Sequence, residues 1–176
     1  MKKKVPKILN FLLIIFCFFT SELAKNISAN TMPKEWEVHS EEINILSIEE
    51  VIEIVNTKSA SMIDSYIKNE KPSTLDKKKW FPPKRYSIPG SIWLPNIGRE
   101  TLTIDQRKYL ETGLEKITKN DKSKEIVFFC RRGYYSKIAA ERAVKLGYKN
   151  VSMFPGTDLW EDGGQRLVIL KELSFN

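Results

Sequence analysis

The stretch Glu125-Ile126-Val127-Phe128-Phe129-Cys130-Arg131-Arg132-Gly133-Tyr134-Tyr135-Ser136 decides how this chain folds. Its first half is an unbroken run of apolar β-formers, the composition of a strand covered on both faces. From Ser136 the pattern changes to Lys137-Ile138-Ala139-Ala140-Glu141-Arg142-Ala143-Val144-Lys145-Leu146, an amphipathic helix that Gly147 terminates. Cys130 therefore stands at the carboxyl edge of a strand, where the backbone curls toward a helix N-terminus. Successive N–H groups in such a turn make an anion cradle, and the helix dipole adds partial positive charge. A thiol in that field is expected to ionise more readily, and the thiolate is the nucleophile. Gly133 supplies the backbone angles that a tight cradle needs. A free cysteine is otherwise an inert small hydrophobe. Two arginines and a glycine directly after it favour the reactive reading.

On either side of this unit, strands and helices alternate. After a polar lead (26–42), Ile43-Asn44-Ile45-Leu46 reads as a short strand. Ser47-Ile48-Glu49-Glu50 has capping-box form and opens a helix to about Val55. Ser61-Met62-Ile63-Asp64 is a strand ending in an acid, followed by a polar and aromatic loop over 68–87 with Pro72, Pro82 and Pro83. Ser91-Ile92-Trp93-Leu94 is a third strand, and Asp105 to Ile117 a helix. Val151-Ser152-Met153-Phe154 is the last strand. The pattern predicts an α/β fold with a central parallel sheet of about five strands and helices on both faces. Ligands of such sheets bind beyond the carboxyl ends of the strands, where both Cys130 and Asp64 are placed.

The chain of 176 residues suits one domain plus a targeting segment. Lys2, Lys3, Lys4 and Lys7 precede an apolar run, Ile8 to Phe19, the layout of an export signal. That run is shorter than the roughly 20 residues of a spanning helix. We expect a signal peptide over 1–24, with cleavage at 29 as the other site and retention as an N-terminal membrane anchor as the alternative. Cys17 has no small residue before it, so lipid attachment is not expected. The location is then periplasmic or otherwise exported, and removal of the signal leaves Cys130 as a single free thiol. The net charge of +7 falls to +4 without residues 1–24, which hold four lysines and Glu22. That balance suits small anionic substrates or an acidic protein partner; the scattered lysines give no nucleic-acid signature.

These residues carry a resemblance. Cys130-x-x-Gly133-x-x-Ser136 resembles the active-site loop of rhodanese domains, the thiosulfate sulfurtransferases. Ile63-Asp64 resembles their second-strand Ile-Asp-Val-Arg motif, and Tyr86-Ser87-Ile88-Pro89-Gly90-Ser91-Ile92 their His-Ile-Pro-Gly-Ala-Ile segment. Leu146-Gly147-Tyr148-Lys149-Asn150-Val151, with Pro155-Gly156 and Trp160, is similar to the family's ending. The likeness runs in order from Ile43 to Leu167 and implies a rhodanese-like domain over 43–170. Ser87 to Gly98 and Phe154 to Trp160 are also similar to an exported rhodanese-like group associated with PQQ-dependent alcohol catabolism and named for a Cys-x-x-Cys-Trp motif. Where that group has its second Cys and Trp, this chain has Gly133 and Tyr134. A dithiol role therefore does not carry over. The family's second-strand Arg is also absent; Tyr66 follows Asp64-Ser65.

The resemblance implies that Cys130 takes sulfur from thiosulfate or a related anionic donor as a persulfide, then yields it to a thiol or cyanide-type acceptor. The loop from Arg131 through Gly133, Tyr134 and Tyr135 to Ser136 would hold the persulfide and donor, and Arg131 and Arg132 the donor's oxyanions. Asp64 would bond to loop or substrate, or cap its strand. No cofactor beyond the persulfide, and no metal, is expected. The alternative is a catalytically silent accessory protein serving a periplasmic quinoprotein dehydrogenase. A phosphatase of the Cys-x5-Arg type is excluded, because Ser136 occupies the arginine position. His39, the only histidine, lies in the polar lead and supports neither a Cys–His dyad nor a metal site. Trp36, Trp80, Trp93 and Trp160 read as packing residues, and the basic loop from Lys77 to Arg85 is expected to overhang the site.

Overall fold

The computed structural model describes residues 43–174. The expected export signal or anchor, Trp36 and His39 lie outside the described residues. Five parallel strands form the main sheet: β1 (Ile43–Ile45), β2 (Ser61–Asp64), β4 (Ile92–Trp93), β5 (Glu125–Cys130) and β6 (Asn150–Gly156), in the order β1-β6-β5-β2-β4. β5, the apolar strand that ends in Cys130, is central. Asp64 on β2 pairs with Phe129 beside it, which brings the acid and the thiol to one end of the sheet.

Strand alternation sends neighbouring side chains to opposite faces. Ile126 and Phe128 join Ile63, Val151 and Met153 on one face, under Leu110, Leu114, Ala139, Ala140 and Ala143. Those residues belong to α2 (Ile104–Thr118) and α3 (Tyr134–Lys145). Val127 and Phe129 join Met62 and Phe154 on the other, under Val51 and Ile54 of α1 (Ile48–Thr57) and Trp160 of α4 (Thr157–Asp162). Helices thus cover both faces, as the unbroken apolar run of β5 requires.

The helix starts follow their caps. Ser47 accepts from the Glu50 amide at 3.3 Å while the Glu50 carboxylate accepts from the Ser47 amide at 2.7 Å. Thr103 and Gln106 repeat that reciprocal box at the start of α2. Helix α3 begins at Tyr134, two residues before the expected Ser136. Its N-cap is Gly133 with φ 100°, a left-handed conformation that turns the chain into the helix earlier than the side-chain pattern suggests.

Three other elements depart from the expectation. The loop over 68–87 contains a 3-10 turn, Lys77–Lys79, and the strand β3 (Arg85–Ser87). β3 pairs antiparallel with β7 (Val168–Leu170) in a separate two-stranded ribbon, matching Tyr86 to Ile169. The last sheet strand runs on to Gly156 and leads directly into α4. A register shift between Phe128 and Cys130 sets Cys130 opposite Gly156. Gly156 has φ 143°, and a Cβ there would stand 2.4 Å from the Cys130 carbonyl oxygen, so only glycine fits behind the cysteine loop.

Candidate active site

Cys130 is 1 % exposed and sits beneath the turn that follows it. The Gly133 amide donates to its Sγ at 3.2 Å, within reach for a sulfur acceptor. The Ser136 hydroxyl lies 3.7 Å from the same sulfur and donates to the Gly133 carbonyl at 2.9 Å. The turn is therefore braced from within: Gly133 gives the geometry, and Ser136, one turn into α3, locks it. No side chain caps the N-terminus of α3. The orphan amides of that first turn are groups a helix leaves for an anion.

Asp64 is fully buried beneath this loop. Its carboxylate accepts from Arg85 Nε at 2.6 Å, from Ser87 Oγ at 2.5 Å and from the Tyr66 amide at 2.9 Å. Burial pushes the carboxyl above its ordinary range, opposed by the bond and charge of Arg85 and by the Ser87 and Tyr66 bonds. Arg85 is almost as enclosed, with a side chain 10 % exposed. Its Nη2 also reaches the Cys130 carbonyl at 3.4 Å, and its guanidinium lies 4.4 Å over the Tyr66 ring. The arginine missing from β2 is replaced by one from β3. The basic loop reaches the site through Arg85, its last basic residue. The available signal was a buried acid at a strand end with no cation following it. What hid the answer is that Arg85 sits in a basic run that reads as a solvated surface.

Arg131 and Arg132 share one carboxylate. Their Nε atoms donate to the two oxygens of Asp158 at 2.9 and 2.7 Å, while the side chains stay 53 % and 67 % exposed. Partial burial would raise the Asp158 carboxyl, but the bonds from Arg132 and Arg131, with their charges, outweigh it and hold the group below the ordinary carboxylate range. The Arg131 side chain also bonds with that of Tyr66, and both guanidinium groups remain open to solvent. Asp158, at the start of α4, carried no signal in sequence; only the pairing of β5 with β6 brings it under the loop. Because its folded pKa is depressed, this fork adds stability above the unfolded carboxylate pKa and loses it as pH falls through the folded value. A carbon-detected NMR titration should place Asp158 below the usual aspartate range. In Arg131→Ala/Arg132→Ala it should rise to that range or above it, because the burial remains when both cations are gone.

Tyr134 and Tyr135 form the first two residues of α3. Their rings meet edge-on at 5.1 Å, and Tyr135 meets Tyr66 at 6.0 Å. The Tyr134 hydroxyl donates to the Glu100 carboxylate, which holds that ring 43 % exposed. Trp93 and Trp160 are buried and serve as packing residues, donating to the Tyr66 and Arg166 carbonyls. The structure thus brings Gly133 and Ser136 to the Cys130 sulfur and links Asp64 to the Cys130 carbonyl only through Arg85; Arg131, Arg132, Tyr134 and Tyr135 lie in the turn and first helical residues that follow the cysteine.

An open parallel sheet whose central strand delivers a cysteine under the amide of the following helix's N-cap defines a class, the α/β domain with a cysteine-centred anion cradle. Within that class the chain belongs to the rhodanese-like family, whose domain model matches residues 47–157. Among solved structures it is similar to a thiosulfate sulfurtransferase from Pseudomonas aeruginosa, at 20 % identity and a TM-score of 0.51, over 74 % of this chain and 21 % of that one. The chain therefore spans about a fifth of that enzyme's length. It is also similar to a single-domain sulfurtransferase of Saccharomyces cerevisiae, at 20 % identity and a TM-score of 0.44, over 71 % of this chain and 94 % of that one. A human single-domain sulfurtransferase aligns at 19 % identity and a TM-score of 0.41, over 70 % and 97 % of the two chains. At these identities the likeness is one of fold. No curated protein matches the chain in sequence.

Proposed function

We propose that this protein is an exported sulfurtransferase working through a persulfide on Cys130. The observation that carries the reading is the Gly133 amide on the Cys130 sulfur, beneath a helix N-terminus that no side chain caps. In the first half-reaction the Cys130 thiolate attacks the outer sulfur of thiosulfate. The new S–S bond forms as the old one breaks, and sulfite leaves with the bonding pair. In the second, a thiolate or cyanide attacks the outer sulfur of the persulfide, and the Cys130 thiolate leaves. The Gly133 amide and the first-turn amides of α3 stabilise the anionic persulfide, which needs no reorganisation because the turn is already braced by Ser136. Asp64 and Arg85 do not touch the sulfur; they fix the strand end that carries it.

Arg131 and Arg132 are assigned to the donor. Pinned by Asp158 through Nε, they offer terminal nitrogens to the sulfonate end of thiosulfate. Both are more than half exposed, so each contact is screened by water. Arg131→Ala/Arg132→Ala should raise KM for thiosulfate several-fold and leave kcat nearly unchanged. A fall in kcat with KM unaltered would place the arginines in the chemistry instead. The export half of the proposal rests on the basic and apolar N-terminal sequence. N-terminal sequencing should find the chain shortened near residue 24 or 29 and outside the cytoplasm; an intact Met1 on cytoplasmic protein would contradict it.

A second reading is a silent accessory protein for a quinoprotein dehydrogenase. The near-complete burial of Cys130 and the Ser87–Gly98 resemblance favour it. It predicts no persulfide under any donor, and binding to that dehydrogenase system that Cys130→Ser leaves intact.

A further inference from the structure

A cleft of about 500 Å³ lies at the β4 edge of the sheet; Arg85 and Tyr66 line it, and Cys130 does not. Much of the cleft's surface is apolar: Pro82 and Pro83 from the long loop, Trp93 from β4, and Ile169 and Leu170 from β7. These parts come from distant sequence and are fixed in place. The Trp93 indole donates to the Tyr66 carbonyl at 2.9 Å, and the Leu173 amide to the Trp93 carbonyl at 3.0 Å. The β3–β7 ladder holds the remaining side. Volume and lining fit a preformed small-molecule site.

The charges on these walls do not cancel. Arg85 is neutralised by Asp64, and Lys68 is paired with Glu172. Lys84 and Lys171 also line the cleft, and neither has a carboxylate partner among the described residues. An apolar hollow edged by two uncompensated ammonium groups complements a molecule with an apolar body and one anionic head. Neutral or cationic molecules of the same shape would leave the lysines unanswered.

We propose that this cleft binds a small amphipathic carboxylate, with its aromatic or alkyl body against Trp93 and Leu170 and its head between Lys84 and Lys171. The cleft shares Arg85 and Tyr66 with the surroundings of Cys130, but Cys130 is not among its lining residues, and binding there does not require sulfur transfer. Isothermal titration of the full chain with phenylacetate and with hexanoate tests it, with phenylacetamide as the uncharged counterpart. Both acids should bind saturably, about tenfold or more tightly than the amide, and more weakly as salt rises. Lys84→Ala/Lys171→Ala should erase the preference for the acid. Lys84→Glu/Lys171→Glu should reverse it toward phenethylamine; both lysines are exposed, so neither pair threatens the fold. Cys130→Ser should bind the acids as wild type does, which separates this site from the sulfurtransferase reading. Equal binding of acid and amide, or no heat from either acid at millimolar concentration, overturns the proposal.

Discussion

Replacing Arg85 by alanine should cost the fold about 3–5 kcal/mol and remove nearly all sulfur transfer. The cause is the carboxylate left behind. Asp64 has no exposed surface, and among the described residues Arg85 is its only charged partner, so the substitution strands an anion in the interior. Ser87 and the Tyr66 amide still donate to it, but neither neutralises it. The same change frees the Cys130 carbonyl, to which Arg85 Nη2 is bonded, and so loosens the end of the strand that presents the thiol. The loss should depend on pH with a definite sign. Burial already raises the folded pKa of Asp64, and removing Arg85 raises it further. A raised carboxyl takes up a proton on folding at mildly acidic pH, so its contribution is present at low pH and is lost as pH rises through the folded value. Urea titrations of Arg85→Ala should therefore show a deficit that shrinks on acidification. Asp64→Asn in the Arg85→Ala background should recover a substantial part of it at neutral pH. A deficit under about 1 kcal/mol at neutral pH would mean that Arg85 is not what holds this centre.

Cys130→Ser should abolish transfer while leaving the structure standing. A hydroxyl is close in shape to the thiol and accepts the same bond from the Gly133 amide, so the stability change should stay within about 1 kcal/mol. It cannot form a persulfide, and the remaining cradle has no other nucleophile: Ser136 is fully buried, and its hydroxyl is spent on the Gly133 carbonyl. The expected kinetic result is loss of kcat to background at any thiosulfate concentration, unlike the KM effect expected of the arginine pair. Residual turnover in Cys130→Ser would place the chemistry elsewhere.

What the sequence made legible was the part written in short-range pattern. The apolar run 126–129 required cover on both faces, and the structure supplies it. Ser47 and Glu50 announced their helix, and the motif Cys130-x-x-Gly133-x-x-Ser136 marked a turn in which Gly133 and Ser136 do meet the sulfur. What stayed hidden was the part made of distant pairs. Arg85, which bonds Asp64, sits in a ribbon whose two strands have three residues each and come from well-separated parts of the sequence. Such strands are too short to show a period. Asp158 looks like an ordinary first-turn acid until β6 carries it beneath Arg131 and Arg132. Helix α3 starts two residues earlier than the side-chain pattern predicts, for a local reason: Gly133 takes a left-handed cap, and the two tyrosines after it are already helical.

The most direct measurement of the central claim is the intact mass of the full chain after incubation with thiosulfate and removal of excess donor. The account predicts a gain of one sulfur atom in wild type, lost again on adding cyanide or a small thiol, with no gain in Cys130→Ser. A wild-type mass unchanged by thiosulfate and by other sulfane donors would contradict it.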